Sequence, residues 1–454
     1  MHNRGITPTT AVERSRAEGR AARTRMPRSA HGEIRCPERD PVAIFEQQNR
    51  TRLPELVPIR YERMTESPFA YYRGSAAAMA GDLSTEPVTG PHVVASGDAH
   101  LANFGLYASP ERRVLFDLND FDEAYPAPWE WDVKRLAASV WLAGRQAGRT
   151  EQQCRDATLT TVRSYRETIR FLSDLTATER FYFQVDADEI EQASRNPEAI
   201  RAVVQKARGR TSEQVLRKLT VTTADGAPRI VDQPPIVRHL DIGSLEAIEG
   251  IVASYRATVR ADVLLLLSQY RVVDFAMRIV GVGSVGTRCF VVLLLGPADE
   301  PLFLQVKEAG QSVLETHGGI RETPHRVASE LITHGQGARV VGAQRILQAH
   351  SDPLLGWITG VPGPDGVRRD FYVRQFRDMK GSVQWDRLSA AQSERYGRLC
   401  GALLARAHSQ SPVGAFVAGY LGRGTVFDEA VARWSAAYAD RTEQDWRALC
   451  DKGP

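Results

Sequence analysis

Ser96-Gly97-Asp98-Ala99-His100-Leu101-Ala102-Asn103-Phe104-Gly105 and Phe116-Asp117-Leu118-Asn119-Asp120-Phe121-Asp122-Glu123 are the two stretches that decide how this chain is read. A short strand is predicted over 92–95, just before the first of them. Between the two lies a predicted hairpin, with a turn at Ser109-Pro110-Glu111-Arg112 and a strand over 113–116 that runs straight into Asp117. Phosphoryl transfer of the kinase type needs a carboxylate beside the attacking hydroxyl, then an Asn and an Asp to hold Mg²⁺. Asp98 is accordingly the candidate catalytic base, and Asn103, Asp117 and Asp120 are the candidate metal ligands. A plainer reading makes the acidic run an exposed turn, with Asp98 capping a helix. That reading leaves several carboxylates crowded together with no cation to relieve their repulsion.

Working outward, the 454 residues leave room for two or three domains and a sizeable core. With 43% hydrophobic and 25% charged residues, wholesale disorder is excluded. No apolar run approaches the roughly 20 residues of a membrane helix, and the basic, polar N-terminus does not read as a secretory signal. Five scattered cysteines without C-x-x-C spacing argue against a disulfide framework or zinc cluster and for a reducing, cytoplasmic setting. A net charge of +3 is too balanced for a dedicated nucleic-acid binder. Of the 58 basic residues only six are lysines: Lys134, Lys206, Lys218, Lys307, Lys380 and Lys452. A lysine kept in an otherwise arginine-using chain points to a position wanting a compact point charge.

Residues 1–40 are basic and poor in large apolar residues, which predicts a disordered tail. Segment 41–268 is dominated by helical periodicity and reads as a helical lobe carrying both stretches quoted above. The texture changes at Val272, and 272–376 reads as a β-rich lobe. Its first strand, over 275–280, leads into Gly281-Val282-Gly283-Ser284-Val285-Gly286. A dinucleotide fingerprint would need a helix after these glycines. A strand follows instead, over 289–295, and a third over 302–307 ends in Lys307. A glycine loop joining two strands, with a lysine on the third, is the protein-kinase arrangement. Gly281, Gly283, Ser284 and Gly286 would let backbone amides approach phosphates, and Lys307 would supply a cation. Taken alone, the segment also fits an ordinary hairpin with a solubilising edge lysine. A helix is predicted over 325–348, whose Glu330 is the candidate partner of Lys307. The strand over 371–376, with Gln375 as a candidate nucleotide contact, leads into the hinge expected to meet adenine. Helices over 387–410 and 426–449 fall in segment 377–454, which completes the helical lobe.

Ser96-Gly97-Asp98-Ala99-His100-x-x-Asn103, Phe116-Asp117-x-x-Asp120 and Trp131-Asp132-x-x-Arg135-Leu136-Ala137 together resemble the aminoglycoside-phosphotransferase branch of the kinase-like superfamily. Ser96 departs from that branch, which carries histidine there. The resemblance implies that His100 stands beside the transferring phosphate. From about Pro41 onward the chain is more closely similar to a bacterial family named domain of unknown function 2252. That match rests on Pro68-Phe69-x-x-Tyr72-Arg73-Gly74, Gly97-Asp98-Ala99-His100, Asn119-Asp120-Phe121-Asp122-Glu123 and Trp129-Glu130-Trp131-Asp132. Gln344-Arg345, Asp352-Pro353-Leu354-Leu355-Gly356-Trp357 and Arg374-Gln375-x-Arg377-Asp378-Met379-Lys380-Gly381 complete it.

In kinases the glycine loop and lysine precede the catalytic Asp; here they follow it. The expected fold class is therefore α+β, a protein-kinase-like two-lobe fold with circularly permuted motif order. The expected function is an ATP- and Mg²⁺-dependent phosphotransferase, its partners a nucleotide and a hydroxyl acceptor on a small molecule or protein. Transfer of AMP by the same parts, an inactive nucleotide-binding module, and a metal-dependent hydrolase built on residues 117–123 are the competing classes.

Overall fold

The computed structural model describes residues 10–192, 197–224, 226–239, 245–279, 281–320, 331–363 and 365–453. It is a mixed α+β protein, and among the described residues no helix is long and apolar enough to cross a membrane.

The helical body is built around the helix Trp129–Gln146, whose residues from Trp129 through Ala143 are all buried. A helix buried on every side needs neighbours on every side. They are supplied by Glu151–Asp174 next in sequence and by Ala390–Ser409 and Val426–Lys452 from the far end of the chain. The lobe is thus discontinuous in sequence. Against it lie two small sheets. In one, β1 (His92–Ala95) pairs antiparallel with β4 (Tyr125–Pro128). In the other, β2 (Phe104–Ala108) and β3 (Val114–Leu118) form the hairpin expected from the sequence, and β13 (Gly381–Ser382) adds to the free edge of β2.

The second body is a six-stranded antiparallel sheet. Its strands are β7 (Val237–Arg238), β8 (Arg271–Arg278), β9 (Cys289–Leu295), β10 (Pro301–Ala309), β11 (Gly356–Pro362) and β12 (Arg368–Gln375), in the spatial order β11-β12-β10-β9-β8-β7. Alternation along β9 serves two cores. Val292 and Leu294 pack with Tyr255, Val263 and Leu267 on one face, while Val291, Leu293 and Leu295 pack with Val215 and Ile230 on the other. Both faces being covered explains why β9 reads as a continuous apolar run. The helix Gln336–Leu347 packs on β10, β11 and β12 and bridges to the helical body.

Two boundaries are corrected. Segment 211–268 does not join the helical lobe: the helices Ser212–Leu219 and Ala261–Leu267 and the hairpin of β5 (Thr220–Thr222) with β6 (Pro228–Ile230) clothe the six-stranded sheet, and β7 extends it. The tail, over its described part, is not disordered either. Ala11–Arg25 is a helix opened by a Thr10–Glu13 capping box. It crosses the helix Gly414–Leu421 at two glycines: a Cβ at Gly19 would fall on the Phe416 carbonyl, and one at Gly419 on the Arg16 carbonyl. Arg23 then donates to the carbonyls of Tyr420 (2.8 Å) and Gly419 (2.6 Å), and Arg28 to that of Leu421 (2.7 Å), closing a helix C-terminus with cations. The segment is held by small residues and arginines, which a count of large apolar side chains passes over.

Candidate active site

The loop after β1 is fixed from beneath. Asp132, in the first turn of Trp129–Gln146, accepts the N–H groups of Ser96 (2.6 Å) and Gly97 (2.9 Å) and faces His408 Nε2 at 3.1 Å. His408 Nδ1 in turn meets the Tyr165 hydroxyl at 2.8 Å. Gly97 has φ of 74°, and a Cβ there would collide with the Glu123 carbonyl, so only glycine lets the two loops touch.

On this base, Asp98 presents one carboxylate oxygen, Oδ1, to the buried Arg135, whose Nε and Nη2 lie at 2.7 and 2.5 Å. The other, Oδ2, makes no hydrogen bond among the described residues and stands 3.6 Å from His100 Nε2. Burial pushes the Asp98 carboxyl up to about 7, more than Arg135 pulls it down. Burial, helped by Arg73 and Arg135, holds His100 well below the usual histidine range, so its ring is neutral. Asn103 donates from Nδ2 to the Asp98 carbonyl at 2.7 Å, which fixes the amide and leaves its Oδ1 free. Asp120 lies across from it. Burial pushes that carboxyl up, but Lys307, Arg374 and Lys380 outweigh it and hold the group below the usual range.

Lys307, on β10, is buried with its ammonium ion-paired to Asp122 Oδ2. Burial alone would lower its pKa; Asp122 and Asp120 raise it well above the ordinary value. Asp122 Oδ1 is buried without a partner. Behind the pair sits Arg339, on the helix Gln336–Leu347 and wholly inaccessible to solvent. Its guanidinium donates to the carbonyls of Ala124 (2.5 Å), Asp122 (2.8 Å) and Gly310 (2.8 Å), stitching the acidic loop to the end of the lysine strand.

The glycine loop closes the space from above. Gly281, Gly283 and Ser284 line a cleft of about 980 Å³ together with Asp98, Asn103 and Asp120. The N–H groups of Gly283 and Ser284 meet no acceptor among the described residues. Gly286, with φ of 90°, stands at the far end of the loop, its carbonyl taken by Leu53 N–H at 2.9 Å. Arg63, on the helix Val57–Thr65, and Arg52, from the bend before it, donate to the carbonyls of Gly281 and Val285, so a segment from early in the chain pins the loop.

Three expected residues fall elsewhere. Asp117 is not at the cleft: its Oδ1 takes the Leu118 N–H at 2.9 Å, its Oδ2 takes the Ala349 N–H at 2.9 Å, and Arg406 stands 4.0 Å away. It fastens β3 to the residues following Gln336–Leu347, and the carboxylates that reach the cleft from just beyond the strand are Asp120, Asp122 and Glu123. Gln375 does not line the cleft; its N–H is held by Asp352 at 2.5 Å. Glu330 lies outside the described residues, and Lys307 has Asp122 as its carboxylate. Arg135, Asp132, His408 and Arg339 went unread as functional groups. Only the Trp131-Asp132-x-x-Arg135 spacing carried a signal for any of them.

Among the described residues no three His, Cys, Asp or Glu side chains converge into a metal cage. Asn103 Oδ1, Asp120 Oδ2 and Asp122 Oδ1, which meet no donor among the described residues, are hard donors of the kind Mg²⁺ accepts when phosphates complete its shell, while Asp120 Oδ1 takes the Asp122 N–H at 3.3 Å. Compared with known proteins, residues 52–452 match the model of a family described as an uncharacterized protein conserved in bacteria (DUF2252). No curated protein and no solved structure matches the chain.

Proposed function

Since the chain belongs to this bacterial family, whose description names no activity, function has to be read from the cleft, and we propose that it is an ATP- and Mg²⁺-dependent transferase moving phosphate to a hydroxyl. In this reading the six-stranded sheet is the nucleotide lobe and the helical body the catalytic lobe, in circularly permuted order. The observation that carries it is the ion pair between Lys307 and Asp122, two groups 185 residues apart. It sets the lysine of the third strand against the acidic segment that also bears Asp120, beneath a glycine loop with free amides.

The roles follow from the chemistry of each side chain. Asp98 Oδ2 is unbonded and its carboxyl has been raised to about 7, which suits a group that accepts a hydroxyl proton near neutrality. Arg135 keeps that carboxylate aimed. Neutral His100 can donate a hydrogen bond without adding a charge. Asn103 Oδ1 and Asp120 would hold Mg²⁺, which when bound draws charge from the phosphate oxygens. The amides of Gly283 and Ser284, which meet no acceptor among the described residues, would cradle phosphates.

The test is a thermal-shift titration with MgATP on wild type and Lys307→Met, followed by a mass readout of transfer with Asp98→Asn. Stabilisation by MgATP that disappears in Lys307→Met, and transfer that disappears in Asp98→Asn while binding persists, are the expected results. A wild-type protein indifferent to MgATP overturns the reading.

A further inference from the structure

On the other side of Asn103 and Asp120 from the glycine loop lies a second cavity, of about 440 Å³. Five cationic side chains line it: Lys206, Arg210, Lys218, Arg377 and Lys380. None of the five has a carboxylate partner among the described residues. Arg210 donates only to the Lys380 carbonyl, and Arg377 lies over the Phe376 ring at 5.4 Å. Among the described residues the one carboxylate on the wall is Asp120, whose single charge is already shared between Lys307, Arg374 and Lys380. Like charges gathered in a concave wall repel one another unless an anion joins them.

Two independent observations point the same way. Half of the six lysines in this arginine-rich chain, Lys206, Lys218 and Lys380, meet at this one cavity. Bias toward arginine therefore lapses where compact cations converge. The backbone beside it is also forced. Arg377 and Met379 hold φ of 55° and 46°, a region that non-glycine residues rarely occupy. Between them Asp378 is gripped by both terminal nitrogens of Arg112, at 2.6 and 2.8 Å. That clamp is what keeps the strained turn in place, with Arg377 and Lys380 on the cavity wall.

We propose that this cavity binds a phosphorylated small molecule through its phosphates, with Lys206, Lys218, Arg377 and Lys380 as the recognising groups. Its size suits a small molecule, and five cations exceed what a single carboxylate would neutralise. The phosphates could belong to the nucleotide itself or to a separate phosphorylated acceptor; Asn103 and Asp120, shared by both spaces, put either within reach of the cleft.

The probe is inorganic tripolyphosphate, titrated calorimetrically without nucleotide or Mg²⁺, so the outcome does not depend on the transferase reading. Lys206 and Lys218 are solvent-exposed, so Lys206→Gln/Lys218→Gln folds normally. Saturable binding is expected to weaken about tenfold or more in that double variant and to change little in Lys307→Met. MgATP affinity in the same variant separates the two sources. A parallel fall makes the cavity the seat of the nucleotide's phosphates, whereas unchanged MgATP affinity assigns it to a second phosphorylated substrate; both support the site. Absent tripolyphosphate binding, or binding that the double variant leaves intact, overturns it. A protein that binds tripolyphosphate here but ignores MgATP keeps this site and loses the proposed transferase.

Discussion

The ammonium of Lys307 and the carboxylate of Asp122 form an ion pair that joins the six-stranded sheet to the acidic loop of the helical body. Because Lys307 is almost wholly buried, the pair is shielded from salt and its two members should be energetically coupled. A double-mutant cycle of Lys307→Met and Asp122→Asn, read by urea denaturation, is expected to return a coupling of about 1–3 kcal/mol. Additive effects would mean that the two groups do not hold the lobes together.

Asp98 sets a pH dependence. Its carboxyl is raised to about 7, so the proton-accepting form grows as pH rises through that value. Turnover should climb through about pH 7 and level off above it, and Asp98→Asn should cost about 10²–10⁴ in rate. A rate flat from pH 5.5 to 8.5 would remove Asp98 as the base.

Arg339 makes three bonds to buried carbonyls and one to Gln336 Oε1, at 2.7 Å. Arg339→Met fills much of the volume but orphans those oxygens, and should lower stability by about 3 kcal/mol or more. Arg339→Lys, which cannot fork, should recover only part of it. Chemical denaturation of the two variants distinguishes this from a simple packing role, for which Met would be the milder change.

Gly97 and Gly148 have nearly the same backbone, with φ of 74° and 68°, but only Gly97 abuts another loop. Gly148→Ala should cost about 1 kcal/mol for the left-handed conformation alone. Gly97→Ala adds the collision with Glu123 and should cost clearly more, with loss of activity. Equal melting temperatures for the two variants would show that the contact between the Asp98 loop and the acidic loop is slack.

His31 gives an acid limb to stability. Burial, then the charge of Lys134, holds its pKa well below the ordinary value, while its Nε2 meets the Tyr420 hydroxyl at 2.8 Å. The unfolded chain binds the proton more readily, so stability should be full above about pH 6.5 and fall as pH drops below it. His31→Gln should flatten that fall between pH 7 and 5 in denaturation experiments. His100, His92 and His317, depressed in the same direction by burial, add to the same limb.

The strands β9 and β10 and the helix Ala390–Ser409 were legible because each obeys one period and one environment. Asp98, Asn103 and Asp120 could be grouped from the sequence because their spacing survives without knowing the fold, and all three line the same cleft. Asp117 was misread for a definable reason. Every residue of β3 is buried, so alternation along Val114–Leu118 does not say which face meets the cleft. The partner of Lys307 was sought on the helix after it, as local order suggests, whereas the carboxylate comes from a loop far earlier in the chain. Arg339 could not be singled out in a chain with so many arginines; its bonds to the carbonyls of Ala124, Asp122 and Gly310 exist only in the fold. The tail helix escaped because glycine and alanine at a close crossing carry no hydrophobic signal.

The anchoring of Asp132 by His408 has a consequence for how the molecule is made. The loop bearing Asp98 leaves the ribosome early, but the imidazole beneath it arrives only with the helix Ala390–Ser409. Until then the helix Trp129–Gln146 has Glu151–Asp174 beside it but lacks Ala390–Ser409 and Val426–Lys452, and a nascent chain of this kind exposes apolar surface of the sort chaperones engage. A polypeptide stalled at residue 380 already contains the glycine loop, Lys307, Asp98, Asp120 and Asp122, yet Asp132 beneath the Asp98 loop lacks the imidazole that faces it. The support beneath the Asp98 loop is thus complete only once Ala390–Ser409 has been made.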